Sequence, residues 1–348
     1  PGEHVLGTTT PLYTLVLAGL SWISGSADFP TIAVAANAVA GALSVALLYL
    51  LGQRFVGHWA PPATAALLWA LAPYSVTFAA GGMETDLVVT LLLAAAYAYV
   101  VDASHALAVL SSLSLLARPD TALLLVLLWL GLVARRRRLP LSEAAVAIAV
   151  LAPWLIFATI SFGSPVPGSL AAKSAAYRLP PTAALVRLIQ HYSTPFFAHE
   201  LLGRSWQLAG FAVYLLMAAV GSLRLCQRSR HSWPLLAYPW VYLVTFAVAN
   251  PLLFRWYLSP PLPFYFLVIL SGVWSLTGDL TGIRRGRSLW VPEARHNDGE
   301  EEATPESLAK QTRVRLALFS VVGVAVLVAT LNAWELRPDH GPDRPAPE

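Results

Sequence analysis

Apolar stretches of about 13 to 21 residues recur along the chain, each closed by a short polar or proline- and glycine-containing interval, and they predict helices at about 31–51, 61–79, 86–101, 105–117, 121–134, 142–162, 206–223, 233–249, 260–277 and 314–332. These runs are apolar all round rather than along one stripe, which is the pattern of helices buried in lipid or in a bundle. The fold class expected is therefore all-α, a polytopic transmembrane helix bundle with about ten spans. Several runs fall short of the roughly twenty residues that cross a bilayer, which suits helices packed beneath a cavity better than helices bathed in lipid. The apolar run at 11–26, with Tyr13 and Trp22, is also short and predicts an interfacial helix that does not cross.

Composition agrees with the pattern. The 348 residues are 57% hydrophobic and 12% charged, with mean hydropathy +0.61, against roughly 25% charged for a soluble domain. A soluble enzyme is excluded and a nucleic-acid partner is disfavoured. The net charge of +4 is informative only when divided by membrane side. If the intervals 53–58, 102–104, 135–138, 224–230 and 278–315 face the cytoplasm, that side holds 15 of the 23 Lys and Arg residues, as the positive-inside rule requires. The single Cys226 lies between Arg224 and Arg228, so no disulfide framework exists. His191 and His199 are eight residues apart, a spacing that does not define a metal site, and they read as solvated loop histidines. No cofactor and no metal is predicted.

The same alternation sends Glu84, Asp86, Arg118, Asp120, Lys173, Tyr177, His191, His199, Arg255 and Tyr257 to the outer face. One stretch stands out there, FGSPVPGSLAAKSAAY at 162–177, where a spanning pattern gives way to prolines and glycines around Lys173. Broken backbone at membrane depth is tolerated where protein or a watery cavity satisfies its polar groups. An ammonium at such a cavity calls for an anion, and a lipid phosphate is one partner; a lysine that snorkels into water is the other reading.

Five segments resemble, in order, those of the C-type (GT-C) integral-membrane glycosyltransferases, the polyprenyl-phosphate-sugar-dependent group that includes aminoarabinose transferases, protein mannosyltransferases and arabinofuranosyltransferases. PGEHVLGTTTPLYTLVLA at 1–18 is similar to the end of the family's first outer loop, GGMETDL at 81–87 to a Gly-x-Glu-Thr-x-Leu helix opening, and ARPDTALL at 117–124 to an Arg-Pro-Asp/Glu step. FGSPVPGSLAAK at 162–173 resembles a Gly-x-x-x-Pro-Asn-x-x-x-x-Lys loop, with Gly168 where asparagine is usual. NPLLFRWYLSPPLPF at 250–264 is similar to the segment carrying an Arg/Tyr pair. The resemblance divides the chain into the end of a first outer loop with an interfacial helix (1–29), a transmembrane bundle (30–277) with an outer loop at 163–205, a cytoplasmic loop (278–313), a last span (314–333) and an outer tail (334–348).

What the resemblance implies is transfer, on the outer face of a cell membrane, of a sugar from a polyprenyl-phosphate donor to a glycan, lipid or protein acceptor of the cell envelope. Lys173 and Arg255 would hold the donor phosphate, with Tyr257, Glu84, Arg118, Asp120 and Tyr177 as further substrate-binding residues. The family's catalytic acid sits in an acidic pair of the first outer loop, upstream of the stretch matching 1–18. No such pair occurs here, so the catalytic residue is unknown and is expected on a segment preceding Pro1. Bland roles stand beside these. Asp86 is placed to cap a helix; Arg118 and Asp120 to close one helix and open the next across Pro119; Arg255, beside Trp256 and Tyr257, to anchor at the interface. A lipid-linked-sugar flippase or transporter, or a noncatalytic homologue, are the alternative functions; the one-sided clustering of polar residues argues against the transporter.

The topology is directly testable. A cysteine replacing Ser169 reacts with an impermeant thiol reagent applied from outside, and one replacing Ser288 does not; labelling of the second from outside overturns the assignment of sides.

Overall fold

A computed structural model describes residues 6–165, 180, 182–195, 206–280 and 316–317. Among the described residues the ordered elements are helices: α1 (Pro11–Ser24), α2 (Phe29–Val56), α3 (Ala60–Leu71), α4 (Pro73–Ala80), α5 (Thr85–Val100), α6 (Ser104–Ala117), α7 (Ala122–Arg136), α8 (Leu141–Phe162), α9 (Ala183–Ser193), α10 (Trp206–Arg228), α11 (Trp233–Ala249) and α12 (Leu262–Leu280), with 3-10 turns at Pro119–Thr121, Arg230–Ser232 and Arg255–Leu258. The all-α expectation holds. Of the ten spans expected, the described residues show five helices (α2, α8, α10, α11 and α12) long and apolar enough to cross a membrane, six if α3 and α4 count as one broken span. The reason is length. Helices form at 86–101, 105–117 and 121–134, but α5, α6 and α7 have 16, 14 and 15 residues, about 21–24 Å at 1.5 Å per residue against a hydrocarbon core of about 30 Å. The run at 314–332 lies almost wholly outside the described residues. With 14 residues, α1 is likewise too short to cross.

Local chemistry sets the boundaries. The Asp28 carboxylate accepts from the Thr31 N–H at 3.3 Å and caps α2, with Pro30 in its first turn. The single run predicted at 61–79 is two helices, because Pro73 has no N–H to continue the ladder; the Ala72 N–H closes α3 on the Trp69 carbonyl, and α4 departs at 43°.

Two interfaces shape the bundle. Along α2 and α5, which run parallel, Asn37 Nδ2 donates to the Met83 carbonyl at 2.8 Å and Thr90 Oγ1 to the Ala40 carbonyl at 2.6 Å. Between α10 and α12, Gly221 faces the Val268 carbonyl and Gly272 faces the Met217 carbonyl so closely that a Cβ on either would collide with backbone. Small residues at a helix crossing allow this approach where no hydrophobic drive separates helix from lipid. The enclosed α12 and the largely exposed α8 mark the centre and edge of the bundle.

Valine at Gly221 or Gly272 forces α10 away from α12, and the expected result is a loss of about 1–3 kcal/mol, read as a lower melting temperature in detergent. Valine at Gly41, where an added Cβ meets nothing within 4 Å, leaves it unchanged.

Candidate functional site

The described outer-face candidates converge on the 3-10 turn Arg255–Leu258. Pro119 ends α6 and starts a second 3-10 turn, and this step throws Arg118 into extended backbone (φ −160°, ψ 137°) so that its side chain turns inward. There its guanidinium grips Asp120 through two bonds, Nε to Oδ1 at 2.9 Å and Nη2 to Oδ2 at 2.6 Å, the bidentate geometry that suits arginine. Its remaining Nη1 donates to the Trp256 carbonyl at 3.3 Å, and its Cζ stands 4.7 Å from the centre of the Tyr257 ring. From α11, the Tyr242 hydroxyl lies 3.3 Å from Asp120 Oδ2 and donates to the Tyr257 carbonyl at 2.6 Å. Arg118 is 3% exposed, so this pair braces the turn from behind. The pair joins α6 to α7, as expected of residues at a helix junction, and it also holds Tyr257.

In front of the turn lies a cavity of about 470 Å³, lined by Thr77, Phe78, Gly81 and Met83 from the end of α4, by Leu252 to Trp256, and by Arg187 from α9. Among the described residues, Arg255 and Arg187 are its two charged residues, and no carboxylate lines it. Phe254 and Trp256 stack with ring centroids 4.5 Å apart and an interplanar angle of 2°, which presents flat aromatic surface beside Arg255. Apolar walls with two cations suit an anion carrying an apolar body. Glu84 sits next to Met83 and is close enough to Arg118 and Tyr257 to act on both electrostatically.

The turn is held from a third side by α9. Its residues Ala184, Leu188, His191 and Tyr192 fall on one face and are buried, and the His191 Nε2–H, in the neutral ring, donates to the Leu258 carbonyl at 2.9 Å. The Tyr74 ring meets the imidazole edge-on at 5.0 Å. His191 is therefore not the solvated loop histidine expected from sequence. Burial pushes its imidazole down to about 4, with the Leu258 hydrogen bond opposing and the charge of Arg187 assisting.

At the mouth of α5 the Tyr13 hydroxyl donates to the Gly82 carbonyl at 2.9 Å, tying α1 to the GGMETDL turn. Asp86 lies in the first turn of α5, as expected of a cap, yet it is fully buried and neither oxygen has a hydrogen-bond partner among the described residues. Lys173, Tyr177 and His199 lie outside the described residues. Sequence reasoning missed Arg187, the positioning role of His191 and the part of Tyr242. The spacing of Ala184, Leu188, His191 and Tyr192 is the helical-face signal that identifies α9 within a polar loop.

The His191 geometry fixes a pH response. Its folded pKa lies below the ordinary value of about 6.5, so its contribution is complete above about 6.5 and is lost as pH falls toward 4, on the order of 3 kcal/mol in all. Melting temperature against pH shows this slope in the wild type, and His191→Gln, which keeps an N–H donor and does not titrate, flattens it.

No family model matches the chain, and no curated protein matches it in sequence. Among solved structures, a crystal structure of ArnT from Cupriavidus metallidurans bound to undecaprenyl phosphate matches with a TM-score of 0.54 at 14% identity, over 92% of this chain and 61% of that one. The chain thus spans less than two thirds of the ArnT structure. At this identity the likeness is one of fold, and it agrees with the resemblance carried by the five sequence segments: this is a multi-pass membrane protein with the helical fold of ArnT.

Proposed function

We propose that this chain is the membrane-embedded body of a glycosyltransferase that takes its sugar from a polyprenyl-phosphate donor. The observation that carries the reading is the shared fold with a structure holding undecaprenyl phosphate. The two-arginine cavity supports it. In this reading Arg255 and Arg187 meet the phosphate, Lys173 adds a third cation from the 163–205 loop, and the aromatic pair Phe254 and Trp256 lies against the sugar or the first part of the prenyl chain. Cations placed where negative charge develops on a departing phosphate stabilise the transition state. Glu84 and Tyr177 are further substrate contacts in this scheme, and Tyr257 is held in register by Arg118 and Asp120. The acceptor in this reading is a glycan, lipid or protein of the cell envelope.

The test is binding of undecaprenyl phosphate to the purified protein, with neutral undecaprenol as control. Arg255→Ala, Arg187→Ala and Lys173→Ala each weaken phosphate-dependent binding by about tenfold or more, since a charge-assisted hydrogen bond is worth about 1.5–3 kcal/mol. Arg255→Ala does not shift the melting temperature appreciably, because Arg255 is exposed and changes in exposed side chains normally stay within about 0.5 kcal/mol. Lys173→Arg restores binding in part, a planar fork being a poor copy of a point charge. Equal binding of the phosphate and the neutral alcohol, or undiminished binding in all three variants, rejects the proposal.

A further inference from the structure

At the opposite end of the bundle an apolar groove runs into a pair of free arginines, and neither belongs to the site above. Helix α8 packs on α6, whereas α7 leans on α11 and α5. The outward faces of α7 and α8 therefore diverge and leave a groove of about 350 Å³ between Trp129, Leu130 and Val133 on one side and Ala147 and Leu151 on the other. Its polar groups are spent: Trp129 Nε1 donates to Ser111 Oγ at 3.0 Å and Ser112 Oγ to the Ala147 carbonyl at 2.9 Å. What remains is a surface for hydrocarbon. From Ala122 to Val133 the groove follows α7 for about 16 Å, about half of a hydrocarbon core of about 30 Å and so the length of one acyl chain.

The groove ends where α7 ends. At this corner Asp102 and Glu143 are the nearby acids, and both are committed: Asp102 to Arg135 and Arg136, and Glu143 to Arg136 at 2.6 Å. Arg137 and Arg138 are exposed, with no partner among the described residues. Arg230 joins the same corner, since the neighbouring His231 carbonyl accepts from Tyr99, whose ring lies under Arg135. Leu139 and Leu141, 70% and 71% exposed, flank the pair as apolar contacts for a membrane surface. Arg137 also occupies a left-handed helix-end position (φ 51°) where glycine is the usual residue, so a cation stands there against backbone preference.

We propose that this corner is a binding site for one anionic phospholipid of the arginine-rich, cytoplasmic leaflet, with its headgroup phosphate on Arg137 and Arg138 and one acyl chain in the α7–α8 groove. The positive-inside rule accounts for arginines on this side; it does not account for an apolar groove of acyl-chain length whose last residue on α7, Val133, lies one turn before them. The anionic surface of that leaflet supplies the ligand.

The test is native mass spectrometry of the protein released from detergent containing equal phosphatidylglycerol and phosphatidylcholine of one chain length. The wild type retains phosphatidylglycerol preferentially. Arg137→Gly with Arg138→Gln loses that preference, about fivefold per charge removed, without loss of fold, since glycine suits the left-handed position. Ala147→Phe, which fills the groove, lowers retention of both lipids, and free inorganic phosphate displaces neither. Equal retention of the two lipids by the wild type, unchanged preference in the arginine variant, unchanged retention in Ala147→Phe, or displacement by free phosphate each overturns the proposal.

Discussion

The ion pair between Arg118 and Asp120 is the constraint on which the end of the bundle carrying the Arg255–Leu258 turn depends. Both side chains are almost closed off from solvent, 3% and 11% exposed, and an uncompensated charge in such a place costs about 3–5 kcal/mol. The pair must therefore form whenever the bundle closes. Its spare donor reaches the backbone of the Arg255–Leu258 turn, and Asp120 engages Tyr242 of α11. Two neighbouring residues in sequence thus join a helix junction, a remote helix and the wall of the cavity.

The two ends of the bundle use charge in opposite ways. At the end carrying the Arg255–Leu258 turn Arg118 faces inward and is consumed by protein, and the arginines that line the cavity come from the 250–264 segment and α9. At the other end Arg135 and Arg136 are consumed by Asp102 and Glu143, and the next two residues are left free. In both places carboxylates neutralise the cations the fold needs and none of those exposed to the surroundings. The short helices α5 to α7 connect these ends. Because α5 is almost entirely enclosed, its 16 residues need not match the thickness of a bilayer by themselves.

Much of this was legible in the sequence, for identifiable reasons. Apolar runs located the helices because burial in lipid or protein imposes the same all-round pattern. That shared pattern also hid which runs were long enough to span: five or six helices among the described residues are. The break at Pro73 was visible as a residue, but its 43° bend is a property of the packing around it. The outer-face clustering of Glu84, Arg118, Asp120, Arg255 and Tyr257 followed from loop alternation. That Arg118 would meet the Trp256 carbonyl, 138 positions away, did not, because a bond to backbone leaves no signature in the identity of its acceptor. His191 was misread for a related reason: a polar loop composition masked an amphipathic helix whose buried face includes the imidazole.

Helix α9 carries both His191, which holds the turn bearing Arg255, and Arg187, which lines the same cavity. The distance between the two cavity arginines is consequently set by one short helix, as a caliper is set by a single screw. Rotation of α9 about its axis would move Arg187 and release or tighten the turn in one motion. Helix α9 therefore has a direct mechanical route to the spacing of the two cavity arginines, through the hydrogen bonds from His191 to Leu258 and from the Ala184 N–H to Asn250 Oδ1.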